Sequence, residues 1–433
     1  MTRWHAPACH APDIIVDEAT SMPSCRNCGL TPNIGDIIAH QGTSNSFPEP
    51  PPDELPGQMS LWWPPTVKYT TYDPDLNDMI ASPSPSASGA MSGSSSPPQE
   101  SDTGPTLCRT PIYPHPISPS QFRLAVLTPR ASASSPVHLE LETHSLLNHP
   151  QYETASYTWG GEDDNNERAQ PIYIGDYWDV LLQTQNCRDL LRFLHPKRGV
   201  RWVWVDAVCI NQLDVGERAS QVAQMGMIYK QAFQTVVYLG PDLTPDLGDG
   251  NWPRMQRLHG VAEARIPAPT AEPEQEPGKS PILRRRYFSR LWIVQELVLS
   301  SRVVIRVGNV DYWATNSPGS LSSSSNEPEG PLAWALHLAM GNELDTPLTD
   351  LLGMTATLSC ADPRDRIFGL LGIVGEASQR LEPNYSLSSR HVFTGLMADI
   401  IITRQFYHVL AYGSGVSSEP RSHIPSWVPD CRS

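Results

Sequence analysis

The chain between about residues 121 and 310 alternates short apolar segments with amphipathic ones. Short apolar segments bounded by glycine, proline or polar residues predict buried strands, and apolar residues recurring every three or four positions predict helices. Strands are predicted at 122–128, 137–142, 154–160, 172–174, 202–205, 235–240 and 303–307. Helices are predicted at 182–194, at 222–232 with an N-terminus at Asp214 and Glu217, and at 286–299. This alternation predicts an α/β fold with a mostly parallel sheet flanked by helices.

Composition divides the rest of the chain. Residues 1–40 form a segment rich in Cys and His, and residues 41–120 are a Ser/Pro-rich linker that buries too little apolar surface to become ordered. The N-terminal region is therefore predicted to be disordered, at least in its linker. A low-complexity insertion at 241–281 interrupts the domain core at 121–315, and residues 316–433 are predicted to form a helical C-terminal extension.

Charge and cysteine content restrict the partners and the compartment. The formal net charge of -15 argues against nucleic-acid binding, which needs a basic face. No apolar run reaches the roughly 20 residues that span a bilayer, and the N-terminus lacks the apolar core of a secretory signal. The eight cysteines are spread unevenly, as is typical of reduced thiols. A cytoplasmic protein without a membrane span is expected.

One predicted strand, Trp202–Val205, runs directly into polar residues that a core strand rarely contains. Asp206 follows it at once, and Asn211 and Gln212 come a few residues later. Open parallel sheets bind ligands at the carboxyl ends of their strands, so these side chains are candidate site residues. Each also has a structural interpretation, because Asp206 could cap the following helix and Asn211 could stabilise a turn.

A second predicted strand ends in Trp159 and Gly160, where a flat indole could stack on an aromatic ligand. Trp159 could equally be a core or interface aromatic residue.

The N-terminal segment contains a candidate metal site. Cys25 and Cys28 stand in a Cys-x-x-Cys-Gly sequence, which has the form of a zinc knuckle. A tetrahedral site would need Cys9 and either His5 or His10 to complete it. The alternative is a flexible tail with unpaired thiols.

Several segments resemble the fungal heterokaryon incompatibility (HET) domain. They are Tyr152–Gly160, Trp204–Gln212, Met225–Tyr229, Val237–Gly240, Tyr287–Glu296, Asp362–Leu371 and Pro425–Asp430. The resemblance implies a role in fungal nonself recognition, in which programmed cell death follows the fusion of incompatible hyphae. It also implies control by other incompatibility proteins or by self-association.

HET domains are in turn similar to Toll/interleukin-1 receptor (TIR) domains, some of which cleave NAD. In a TIR domain an acidic residue on a strand and a later strand precede a helix carrying Trp-x-x-x-Glu. Asp206, the strand at 235–240 and the pair Trp292 and Glu296 occur here in that order. The resemblance implies a TIR-like, flavodoxin-like fold and an NAD glycohydrolase with Glu296 as the catalytic residue. Contacts to NAD are expected from Trp159, Gly160, Asp206, Asn211, Gln212 and Trp292.

Glu296 also has a structural interpretation, as the partner of Arg290 or Arg286 in a salt bridge. The protein would then be a non-catalytic signalling module that triggers death through self-association and recruitment of partners. The enzymatic interpretation requires Asp206 and Glu296 to share one cleft, and this is a geometric expectation.

Overall fold

The computed structural model describes residues 3–17, 19–41, 49–54, 61–65, 67, 112–244, 253–257, 281–315, 347–374, 381–403, 405, 407, 410, 425, 427 and 428. The strands are β1 (Ile14–Val16), β2 (Pro23–Cys25), β3 (Gln121–Leu127), β4 (His138–Ser145), β5 (Glu153–Tyr157), β6 (Gln170–Ile174), β7 (Asp179–Gln183), β8 (Arg201–Trp204), β9 (Gln234–Tyr238), β10 (Arg254–Arg257), β11 (Arg302–Val307) and β12 (Val310–Thr315). The helices are α1 (Ile34–Gln41), α2 (Gln185–Leu194), α3 (Asp206–Cys209), α4 (Val215–Gln231), α5 (Ile293–Val298), α6 (Leu348–Met354), α7 (Asp365–Phe368) and α8 (Ser389–Thr403), with short 3-10 helices at Pro281–Arg284 and Arg286–Ser289.

Ten strands form one sheet in the order β10-β12-β11-β9-β5-β8-β3-β4-β6-β7. Its centre is parallel, since β5 pairs in parallel with β8 and β9, and β9 with β11. Antiparallel pairs lie on both sides, at β3 with β4 and β8, β6 with β7, and β11 with β12. The sheet is therefore mixed, whereas a mostly parallel sheet was expected.

Short connections explain two of the antiparallel pairs, β11 with β12 and β6 with β7. Val307 pairs with Val310 across a tight turn in which Gly308 has a φ of 59°, and β6 joins β7 through a turn that begins at Gly175 with a φ of 70°. A connection of a few residues can only reverse the chain, because parallel neighbours need a longer crossover.

Helices cover both faces of the central strands. Successive side chains of a strand point to opposite faces. The Ser156 hydroxyl donates a hydrogen bond to Glu296 of α5, whereas the neighbouring Tyr157 hydroxyl lies against the Cys187 thiol of α2. Helix α4 also packs on β5, since the Tyr229 hydroxyl donates to the Ala155 carbonyl at 3.3 Å.

Two predicted helices begin later than expected. The helix predicted from residue 182 begins at Gln185, where the Thr184 side chain caps it by accepting a bond from the Cys187 amide at 3.2 Å. The helix predicted from residue 286 becomes a 3-10 helix and then α5. Between them Arg290 has an extended backbone, because it forms a β-bridge with Ser359. That bridge prevents a continuous helix.

The N-terminal residues 3–17 and 19–41 form a small folded unit, called the N-terminal unit below. The hairpin of β1 and β2 and the helix α1 lie against the sheet, where Trp4 and Ile37 share an apolar cluster with Tyr173, Val180 and Leu182. The flexible-tail alternative is therefore wrong for these residues. Most of the predicted linker at 41–120 lies outside the described residues.

The C-terminal part contributes α6, α7 and α8 within the predicted helical extension. Residues 254–257, inside the predicted insertion, form the edge strand β10. Among the helices of the described ranges, none combines the length and apolarity needed to cross a membrane.

Candidate functional site

A cleft of about 480 Å³ lies where β5 and β8 end. Its walls come from the residues that follow these two strands, from α4, from the 3-10 helix Arg286–Ser289 and α5, and from C-terminal residues between 359 and 385. Small-molecule sites typically have volumes of about 300–1,000 Å³, so the cleft is of suitable size for a ligand.

Trp159 and Asp206 meet at this edge because β5 and β8 are parallel neighbours. The Trp159 indole donates a hydrogen bond to Asp206 Oδ2 at 2.8 Å, and Asp206 Oδ1 accepts one from the Ala207 amide at 2.7 Å. Loss of hydration raises the pKa of Asp206, although Trp159 and Arg290 act in the opposite direction. Asp206 therefore occupies the first turn of α3 as well as the cleft wall.

Glu296 lies in the first turn of α5 and is 3% exposed. Ser156 donates a short hydrogen bond to Oε2, and Arg290 Nη2 lies 3.4 Å from Oε1. The Tyr287 hydroxyl lies 2.6 Å from Ser156 Oγ. Ser156 has a single hydroxyl proton, so Tyr287 must donate to it. Burial raises the pKa of Glu296, and Arg290 partly opposes that rise.

Arg290 reaches Glu296 with only one end of its guanidinium group. Its Nη1 is buried and has no hydrogen-bond partner among the described residues, and the same holds for the hydroxyl of Thr158. Both residues line the cleft. Buried donors in native proteins are nearly always satisfied, so these two atoms are exceptions at the cleft wall.

The C-terminal wall carries a further acidic group. Asp365 accepts hydrogen bonds from the Tyr385 hydroxyl at 2.6 Å and from the Trp292 indole at 3.2 Å. Burial, aided by the neighbouring Asp362, raises the pKa of Asp365 to about 7. Asp362 itself is bound by Arg364 at 2.7 Å. The cleft therefore combines three buried or half-buried carboxyl groups whose pKa values are raised.

The structure brings most of the predicted site residues together. The cleft is lined by Trp159, Gly160, Asp206, Gln212, Trp292 and Glu296. Asn211 is buried and does not line the cleft. Its backbone N–H donates to Glu217 Oε1 at 2.7 Å. Gln212 donates to the Asp206 carbonyl at 2.8 Å.

Both the catalytic and the structural interpretation of Glu296 retain support, because Glu296 lines the cleft and also pairs with Arg290. Arg286, the other predicted partner, pairs with Asp164 instead.

Gly160 is required by close packing. A Cβ atom there would lie 2.8 Å from the carbonyl carbon of Asp164 and 2.8 Å from Asn166 Oδ1. Any side chain would therefore displace the loop that forms this corner of the cleft.

Sequence reasoning did not assign Arg290, Asp365 or Tyr385 to the cleft. The charged segment Asp362–Arg366 was a signal, since so many ionisable groups in five positions are unusual in a buried turn. Its spacing nevertheless gave no indication that it would lie against the ends of β8 and β5, which are about 160 and 205 residues earlier in the chain.

A second cluster lies in the N-terminal unit. The ligand atoms of His5, Cys9, Cys25 and Cys28 all lie within 4.8 Å of one another, so this group could hold a metal ion. It is separate from the cleft, none of whose lining residues belongs to it.

The fold and the cleft together define an α/β protein with a ligand-sized cleft at the carboxyl ends of parallel strands, lined by buried carboxyl groups. Comparison with known proteins gives a match within one family. Residues 152–296, from just before β5 to Glu296, match the family model described as Heterokaryon incompatibility protein (HET).

Heterokaryon incompatibility protein 6, OR allele, from Neurospora crassa is 24% identical over 398 residues. The alignment covers 72% of this chain and 58% of that relative, so the chain spans less than two thirds of its length. No solved structure matches the chain.

Proposed function

We propose that this protein acts in heterokaryon incompatibility and promotes cell death by cleaving NAD in the cleft. The first part is supported by the HET domain and by the similarity to an incompatibility protein. The second part depends on one observation, which is that Glu296 is buried at the cleft wall together with Asp206 and Arg290.

The proposed chemistry is hydrolysis of the bond between nicotinamide and its ribose. Nicotinamide leaves with the bonding electrons, and the ribose develops the positive charge of an oxocarbenium ion. A nearby carboxylate stabilises such a charge, as in glycoside hydrolysis. Water then adds to the ribose carbon and releases a proton, which Glu296 or Asp206 can accept. The products are nicotinamide and ADP-ribose.

The rest of the cleft suits an anionic nucleotide. The Arg290 side chain lines the cleft, and guanidinium groups bind phosphate strongly. The indoles of Trp159 and Trp292 offer flat surfaces on which an adenine or nicotinamide ring can stack.

The order of the parallel strands also favours a TIR-like interpretation. From β8 through β5 and β9 to β11, the strands stand second, first, third and fourth in chain order. This is the order of flavodoxin-like sheets, which bind their ligands at the carboxyl ends of the strands.

The test is to incubate purified protein with NAD and to follow nicotinamide release by chromatography. We expect release by the parent protein and none by Glu296→Gln or Glu296→Ala. Glu142→Gln is the control, because that carboxylate lies on β4 with a side chain 46% exposed and does not line the cleft. Nicotinamide release that persists in Glu296→Ala would overturn the assignment of Glu296.

A non-catalytic signalling module is the second candidate function. The observation that favours it is that both oxygens of Glu296 already have partners, Ser156 and Arg290, as a purely structural carboxylate would. The module would act through self-association and recruitment of other incompatibility proteins. Unaltered NAD in a demonstrably oligomeric sample, together with expression toxicity that survives Glu296→Ala, would favour the module over the enzyme.

A further inference from the structure

We propose that His5, Cys9, Cys25 and Cys28 bind one Zn²⁺ ion, which fastens the N-terminal unit of residues 3–41 to the β6–β7 side of the sheet. The site would be structural, because four protein ligands leave no open position for a substrate or water. This inference is independent of the function proposed for the cleft.

Two of the six distances between the ligand atoms match tetrahedral zinc, and all six are within 4.8 Å. With Zn–S bonds of about 2.3 Å and Zn–N bonds of about 2.0–2.1 Å, tetrahedral angles place two sulfurs about 3.8 Å apart and a sulfur about 3.6 Å from a nitrogen. Cys9 Sγ and Cys25 Sγ are 3.9 Å apart, and Cys28 Sγ is 3.6 Å from His5 Nδ1. A disulfide would need a distance of about 2.05 Å, so the cysteines are free thiols arranged as ligands.

The backbone holds two of the cysteines in a tight turn. The Gly29 amide donates to the Cys25 carbonyl at 2.7 Å, and the Cys25 amide donates to the Leu30 carbonyl at 2.9 Å. Gly29 has a φ of 71°, a conformation that favours glycine. The chain therefore folds back directly after Cys28, and the Cys25 and Cys28 side chains converge on one point.

The sheet itself orients the fourth ligand. His5 Nε2 lies 2.9 Å from the carbonyl oxygen of Tyr177, in the turn that joins β6 to β7. A carbonyl only accepts, so Nε2 must carry the proton, and Nδ1 presents its lone pair to the three sulfurs. Metal-binding histidines are commonly held in this way by a carbonyl on the opposite nitrogen. The ring of His10 is outside the cluster, and its carbonyl oxygen accepts from the Tyr177 hydroxyl at 2.9 Å.

The fastening role follows from the small size of the unit. Below about 40 residues a chain rarely buries enough apolar surface to fold without a metal or disulfides. Besides the apolar cluster and the contacts of His5 and His10 with Tyr177, Arg3 donates to Asp179 at 2.8 Å and Trp4 donates to the Trp178 carbonyl at 2.8 Å. Both donors are adjacent or close to His5, so a metal on His5 would hold them in register with β7.

The first test is the metal content of the full chain by mass spectrometry. We expect one zinc per chain in the parent, and a loss of at least ten-fold in Cys25→Ser and in His5→Ala. His10→Ala and Cys360→Ser are matched controls that should keep zinc. A parent without zinc, or a Cys25→Ser variant that retains it, would overturn the site; zinc lost from His10→Ala but kept by His5→Ala would overturn the ligand set.

A second test keeps the parent sequence, so that a variant that fails to fold cannot obscure the result. Replacing zinc with Co²⁺ should give the visible absorption bands of tetrahedral thiolate coordination. Removing the metal with a chelator should speed proteolytic cleavage within residues 3–41, and adding zinc back should reverse the effect. Removal of the metal that leaves the cleavage rate unchanged would overturn the fastening role.

Discussion

The ion pair between Arg290 and Glu296 allows the cleft to be tested through stability alone. Arg290 Nη2 lies 3.4 Å from Glu296 Oε1, and the two side chains are 17% and 3% exposed. Arg290→Met keeps much of the side-chain volume and removes the positive charge. Glu296 and Asp206 would then stand at the same cleft wall without the cation that lowers both of their pKa values.

The expected loss is smaller than that of a typical buried pair. Removing one partner of such a pair costs about 3–5 kcal/mol, because the other charge is left unpaired. Ser156 would still donate to Glu296, and a carboxyl whose pKa is already raised by burial can take up a proton instead of staying charged. We therefore expect Arg290→Met to lose about 2–3 kcal/mol of unfolding free energy at pH 8.

The same loss should be smaller at pH 5. Without Arg290 the pKa of Glu296 rises further, so the folded protein holds a proton more tightly than the unfolded chain, and stability falls as the pH increases. The double variant Arg290→Met/Glu296→Gln removes both charges and should be more stable at pH 8 than Arg290→Met alone.

These free energies are measured by urea unfolding at pH 5 and pH 8, followed by tryptophan fluorescence. The proteins compared are the parent, Arg290→Met, Glu296→Gln and the double variant. Two results would refute the reasoning: an equal loss for Arg290→Met at both pH values, or single losses that simply add in the double variant. Either would mean that the two charges are not coupled inside the protein.

Two other predictions concern Asp365 and Gly160. Burial and Asp362 raise the pKa of Asp365 from 3.8 to about 7. The folded protein therefore holds this proton more tightly than the unfolded chain does, and the folded state loses stability as the pH rises from about 4 to about 7. Asp365→Asn resembles the protonated form, and its melting temperature should exceed that of the parent at pH 8 but not at pH 4; equal differences at both pH values would contradict this. Gly160→Ala brings a methyl group within 2.8 Å of the Asp164 backbone and should cost about 1–3 kcal/mol by calorimetry. Gly353→Ala, in α6, places its new Cβ more than 4 Å from the atoms of other described residues outside its own helix, so it should cost nothing; a similar loss in both variants would argue against close packing at Gly160.

The central strands could be predicted from sequence because they are buried on both faces. A strand such as β8 reads as a continuous apolar segment, and Val203 and Trp204 are fully buried. The outer strands β7 and β12 carry mixed residues and were not predicted. Their pairing depends on hairpin turns and on contacts with distant parts of the chain, which local apolar spacing does not record.

The cleft could be predicted only in part, for a similar reason. Trp159 and Asp206 directly follow two strands, so the rule that parallel strands end at the same edge places them together. Glu296 required the family resemblance, since its helix is short and gives a weak signal. Asp365 and Tyr385 reach the cleft through the tertiary packing of the C-terminal segment, and no spacing in the sequence specifies that packing.

The hydrogen bonds of Arg290 bear on the choice between an enzyme and a signalling module. A salt bridge that served packing alone would gain most by satisfying every donor, because a buried unpaired donor costs about 1–3 kcal/mol. Glu296 meets that condition through Ser156 and Arg290, but Arg290 does not, since its Nη1 remains without a partner among the described residues at the wall of the cleft. Among the same residues, the Thr158 hydroxyl at this wall also lacks a hydrogen-bond partner. These two donors argue against a role in packing alone, and a ligand with acceptor oxygens would pair with them if the wall moved to expose them.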